Sequence, residues 1–203
     1  MQTAGKRYSP SPEFRSRIQG QIAARARVSV GRMWLSAAAV ILVLLVATLV
    51  VNYVGQQRLR REQALSEIVD LHVAALASTN PVDVASSDRH TVKPWFQGKI
   101  PFTFNLPELQ NSEFTLVGGR IVYLHQTPGA ELIYQIHKHN VSVFIFPEQA
   151  ISPGLRTGLR TYRHLYFNVQ TWNEGGLTYL LISDTAPQDI GKLAEMLKAA
   201  AQP

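Results

Sequence analysis

The stretch Asp88 to Lys99 reads DRHTVKPWFQGK, a Pro-Trp-Phe wedge with Arg89, His90, Lys93 and Lys99 around it. Such a set suits two jobs. Trp95 and Phe96, placed by Pro94, offer large apolar area for a clasp inside a fold, with the cations wet at its rim. The same cations beside an aromatic ring also suit an anionic ligand. Arg89, His90, Lys93, Trp95 and Phe96 are therefore candidate clasp or ligand-facing residues. A second grouping is His137-Lys138-His139, since alternate residues of a strand share a face and two imidazoles can chelate a divalent ion. The intervening lysine repels a cation and no carboxylate adjoins, so no metal ligand is assigned. Gly-x-Ser-x-Gly, phosphate loops and framed pairs of carboxylates are missing, and no cofactor motif stands in their place. The expected class is a binding or signalling protein, not an enzyme.

Net charge alone points the wrong way. The formal charge of +6 suggests nucleic acid, yet residues 1–32 hold seven Lys/Arg against Glu13 alone, and residues 62–203 hold ten Lys/Arg against thirteen Asp/Glu. The globular part is mildly acidic, which argues against nucleic acid as its partner. The absence of cysteine excludes disulfides, thiolate catalysis and Cys-based zinc sites.

These candidates need elements to hold them. Met33 to Val51 runs nineteen residues without a charge, close to the roughly 20 that cross a bilayer, and Trp34 and Tyr53 stand where amphipathic rings favour the headgroups. The run exceeds a signal-peptide core and no small-x-small cleavage site follows it, so the expectation is an uncleaved transmembrane helix over 33–55. Seven cations before it and Arg58, Arg60 and Arg61 after it place the N-terminus in the cytoplasm and the C-terminal part in the periplasm of a bacterial inner membrane.

Ahead of the span, Ser11-Pro12-Glu13 forms a helix start: a capping hydroxyl, a proline at the first helical position and an acid on the positive end of the dipole. Phe14, Ile18, Ile22 and Ala26 then recur every four residues on a basic helix within the tail 1–32. That stripe suits anionic headgroups or a cytoplasmic partner, and Phe14, Ile18 and Ile22 are the candidate partner-binding residues. After the span, residues 56–80 carry Leu65, Ile68, Leu71, His72 and Ala75 at helical spacing and end at Thr79-Asn80-Pro81. This stalk packs on the outer domain or, as a homodimer contact shared with the membrane helix, on a second copy. The clasp reading has Trp95 and Phe96 pinning the stalk to the domain.

From Phe114 the period changes. FTLVGGRIVYL, ELIYQIHKH, VSVFIF, LYFNVQTW and LTYLLIS read as antiparallel strands, with turns at Thr127-Pro128-Gly129, Lys138 to Asn140 and Asn173 to Gly176. Gly118-Gly119 marks a bulge or kink. Gln149 to Arg163 reads as a solvated loop. PQDIGKLAEMLKAA closes the chain as a helix whose Ile190, Leu193, Met196 and Leu197 cover the sheet. The expected fold is α+β over 81–203, behind one transmembrane helix and its stalk.

DRHTVKPWFQGK, followed by FTLVGGRIVYL and AELIYQIHKHNVSVFIF, resembles the outer domain of bacterial single-pass transmembrane anti-sigma factors, and KRYSPSPEFRSRI resembles the segment that joins their sigma-binding module to the membrane helix. The resemblance implies a membrane-anchored regulator that couples a periplasmic sensor-like domain to an extracytoplasmic-function sigma factor. Members carry a small N-terminal module with a His-x3-Cys-x2-Cys zinc signature, and this sequence has no cysteine. No metal-binding or sigma-contacting residue is therefore carried over from the family. The alternative is a periplasmic sensor or scaffold domain on a membrane anchor that does not bind a sigma factor.

Overall fold

Ser11 does begin a helix. Its hydroxyl accepts the Phe14 N–H at 3.4 Å, and α1 follows from Pro12 to Ala77 without a break. The computed structural model describes residues 11–109, 112–156 and 160–201, with the backbone alone at 22–32, 154, 156 and 160. Residues up to Gly55 group as one compact unit and those from Gln56 onward as another.

In the first unit, the described part of the basic tail is not a separate helix but the opening turns of α1. From Met33 to Val51 every side chain of α1 is exposed, on all sides of the helix. This is the one stretch among the described residues long and apolar enough to cross a membrane. A helix that is apolar all round needs lipid or protein about it. Its polar residues turn back on their own backbone: Ser36 Oγ donates to Met33 O at 2.8 Å, Thr48 Oγ1 to Leu44 O at 2.8 Å and Asn52 Nδ2 to Thr48 O at 2.9 Å. Such bonds satisfy side-chain donors within the helix and lower the cost of placing them in an apolar medium.

In the second unit the chain runs β1 (Val84–Ala85), α2 (Arg89–Trp95), β2 (Phe114–Leu124), β3 (Thr127–Ile136), β4 (His139–Pro147), α3 (Pro153–Arg156), β5 (Arg160–His164), β6 (Phe167–Glu174), β7 (Leu177–Ser183) and α4 (Pro187–Ala201). The strands form one antiparallel sheet in the order β1-β2-β3-β4-β7-β6-β5: two three-stranded meanders, β2-β3-β4 and β5-β6-β7, joined where β4 pairs with β7, with the short β1 added at the β2 edge. The fold is α+β.

Period-two alternation gives the sheet two apolar faces. Leu132, Tyr134, Val143, Ile145 and Leu181 face α4, which supplies Ile190, Leu193, Ala194 and Leu197, and Val92 and Phe96 join the same core. On the opposite face Phe144, Phe146, Leu180 and Ile182 meet Ala64, Leu65, Ile68 and Val69 of α1. The stalk is thus an integral layer of the second unit, with its apolar stripe buried against the sheet. That burial needs no second copy.

The paired glycines do form a bulge, seen as a register shift between Leu116 and Gly118. Both are needed for close approach. A Cβ on Gly118 would lie 2.1 Å from the Val84 carbonyl oxygen of β1, and one on Gly119 would lie 2.8 Å from the Phe96 ring. The turn expected at Thr127-Pro128-Gly129 falls one step earlier: His125 and Gln126 turn with φ of 48° and 66°, and the Thr-Pro-Gly run is already strand. Gln149 to Arg163 is not a plain loop, since it contains α3 and most of β5, which pairs with β6.

Candidate functional site

Asp88 sets α2 in place. Its carboxylate accepts the His90 N–H at 2.8 Å, and the short helix turns Val92 and Phe96 inward and Arg89, His90 and Lys93 outward. Phe96 is buried, with edge-to-face contacts at 5.1 Å to Trp95 and 5.3 Å to Phe104. Trp95 is half-buried, and the Lys99 ammonium sits 3.4 Å from its ring centroid. Trp95 and Phe96 therefore pack α2 on the sheet face it shares with α4. The expected contact with the stalk is not made, because α1 packs on the opposite face. Since Trp95 keeps part of its surface in water, Trp95→Ala should cost about 1–2 kcal/mol, well below the loss for a fully buried ring. Urea unfolding of the wild type and the variant checks this; a loss of about 4 kcal/mol would show a ring buried more deeply than α2 allows.

The outward side of α2 lines a cleft of about 570 Å3, closed on its other sides by Asn105 to Glu108 and by Met196, Ala199 and Ala200 of α4. Arg89 pairs with Glu108 and donates to the Leu106 carbonyl at 3.2 Å, while Lys93 Nζ donates to Asn105 Oδ1 at 2.7 Å. A second chamber of about 400 Å3 shares Arg89, His90, Pro107 and Glu108 with the first and reaches Tyr134. Burial pushes the Tyr134 phenol up, and its hydroxyl has no hydrogen-bond partner among the described residues. Arg89, His90 and Lys93 are thus brought together on one wall, and Trp95 and Phe96 are not part of it.

A second constellation was not assembled by sequence reasoning. On the other face of the sheet Arg120 pairs with Glu131, its direct cross-strand partner, and also donates to the Leu71 carbonyl of α1 at 3.2 Å. Ser142 Oγ donates to the other Glu131 oxygen at 2.8 Å, and His72 Nδ1 lies 2.7 Å from the same Ser142 oxygen. The hydroxyl has one proton and gives it to the carboxylate, so His72 Nδ1 must carry the proton of its own hydrogen bond. His72, Glu131 and Ser142 are all fully buried. The order of the groups is not that of an activated nucleophile: the serine stands between acid and imidazole and gives its proton to the acid, and His72 Nε2 is a buried atom without a partner among the described residues. Its work is attachment, tying the last turns of α1 to β2, β3 and β4.

Electrostatics set the state of this chain. Burial lowers His72 to about 4, with the Asp184 charge pulling the other way. Burial likewise pushes the Glu131 carboxyl up, while the Arg120 charge and the hydrogen bonds from Ser142 and Arg120 favour its ionised form. At the rim, Glu67 and Glu62 of α1 reach His125 and His164 at 3.2 and 3.5 Å, and the Arg61 guanidinium lies 4.0 Å from the Tyr162 ring centroid. Two sequence signals could have found the buried chain: His72 sits inside the apolar stripe of the stalk, and Glu131 opens an apolar run.

The remaining candidates are dispersed. Phe14 and Ile18 are exposed on α1, and the side chains of Ile22 and Ala26 lie outside the described residues. His137 and Lys138 form the β3–β4 turn, and His139 pairs with Asp184 at 2.9 Å. Among protein-family models and curated proteins the chain finds no match.

Proposed function

We propose that this chain is a membrane-anchored regulator of the anti-sigma type, with its N-terminal tail in the cytoplasm and its outer domain in the periplasm. One observation carries the reading: the end of α1 is fastened into the sheet by the buried His72–Ser142–Glu131–Arg120 chain. The same helix also includes the apolar stretch and the Phe14 and Ile18 stripe. A domain that only needed tethering would be served by a solvated linker. A helix packed and hydrogen-bonded into the domain responds instead to changes in that domain. The orientation is supported by the excess of cations before the apolar stretch, and the sigma-factor partner by the resemblance of DRHTVKPWFQGK and its flanking strands to the outer domains of that family. An alternative without sigma binding is a sensor or scaffold on the same anchor.

Pull-down of the membrane-embedded chain against the sigma factors of its host tests the reading. Capture of an extracytoplasmic-function sigma factor is expected, with at least a tenfold loss for Phe14→Asp combined with Ile18→Asp, because a single helix in a groove has few anchors. Capture of none by the wild type overturns the anti-sigma reading and leaves the sensor or scaffold.

A further inference from the structure

The cleft on the outward side of α2 is lined for a particular chemistry. Glu108 is held by Arg89, so its charge is already neutralised within the wall. Lys93, in contrast, is bound to the neutral Asn105 and has no carboxylate partner among the described residues, and the exposed His90 beside it leaves its ring free. The rest of the lining, apart from Arg89, Asn105 and Glu108, is apolar: Pro94, Leu106, Pro107, Met196, Ala199 and Ala200. The volume of about 570 Å3 falls within the range of small-molecule sites. The adjoining chamber ends at the buried Tyr134 hydroxyl, which has no hydrogen-bond partner among the described residues.

We infer that the cleft between α2 and α4 binds a small organic monoanion with an apolar body. The anionic group sits on Lys93 and His90, and the body lies along Leu106, Pro107 and Met196. Charge selects the head and the apolar wall selects the body, so a purely polar anion such as citrate lacks half of the recognition, and so does a cation of the same shape. The inference concerns the outer unit alone and stands apart from the sigma-factor reading.

The test uses the full chain in lipid nanodiscs, with empty nanodiscs subtracted, and ligand-observed NMR with 4-phenylbutyrate, 4-phenylbutylamine and citrate as probes. Saturable binding of the acid is expected, with the amine and citrate at least about tenfold weaker, the scale of one charge-assisted hydrogen bond. Lys93→Met combined with His90→Gln should weaken the acid by about tenfold or more without changing the circular dichroism, since both side chains face out from α2. Met196→Trp, which fills the apolar wall, should weaken it as well. Equal binding of acid and amine, acid binding indifferent to both variants, or no saturable binding of the acid below about 10 mM would each overturn the assignment.

Discussion

Glu131→Ala should cost the sheet domain about 3–5 kcal/mol, as large as any single effect expected in this chain. The carboxylate is fully buried and satisfies two elements at once: the Arg120 guanidinium of β2 and the Ser142 hydroxyl of β4. Removing it leaves a largely buried cation with only the Leu71 carbonyl. It also frees Ser142 from the geometry that lets it accept from His72. The loss comes from stranded partners, not from the pair's net worth. The control is therefore Arg120→Leu with Glu131→Leu, Ser142→Val and His72→Leu, which removes the linked side-chain polar groups together and should fall within about 1–2 kcal/mol of the wild type. Urea unfolding followed by near-ultraviolet circular dichroism reports the packed core, where Trp172 stacks on Tyr179 at 4.9 Å. A loss below about 1 kcal/mol for Glu131→Ala would show that water enters the site and that the attachment of α1 is not a buried one.

Acid should loosen the same attachment. The His72 imidazole titrates at about 4 in the folded protein against 6.5 when free. Between these values the unfolded chain binds a proton that the folded chain does not, so stability falls as the pH drops through the window. The loss from this group approaches about 3 kcal/mol by pH 4. Glu131 acts in the opposite sense. Its raised carboxyl takes up a proton in the folded state before it does in the unfolded one, which favours the fold as the pH falls. The two effects separate on comparing the wild type with His72→Gln, which keeps a donor for Ser142 and removes the titration while every other group stays common to both proteins. The difference in unfolding free energy between them should change by about 3 kcal/mol from pH 7 to pH 4, the wild type losing more. A flat difference would mean that His72 is solvated in the folded state.

The elements were legible where local chemistry decides them. Ser11-Pro12-Glu13 starts a helix because its groups complete the first turn by themselves, and α1 begins at Pro12. FTLVGGRIVYL and LTYLLIS match β2 and β7 end to end, since long β-branched and aromatic runs between turn residues suit a pleated strand wherever it lies. RTYRH was not legible as β5. It has a single large apolar side chain, and pairing along β6 is what makes it a strand. The β2–β3 turn escaped for a related reason. Gln126 has no special liking for positive φ, and it adopts that conformation beside His125 because the two strands pair on either side. Gly129, read as part of that turn, is a packing residue whose missing Cβ leaves room for the Phe146 ring.

For the candidate sites the division follows distance along the chain. The sequence alone placed Arg89, His90 and Lys93 within one turn of each other, and the helix needed only to form for them to share a wall. It could also say that the stalk buries a stripe. It could not say which face of the sheet takes the stalk and which takes Phe96, because a strand alternating on both sides offers two apolar faces of similar character. Nor could it join His72 to Ser142 across seventy positions or set Glu131 opposite Arg120. Those contacts depend on strand register and on where a helix lands on a sheet. Both are settled by the burial of the whole domain, and no short segment contains that information.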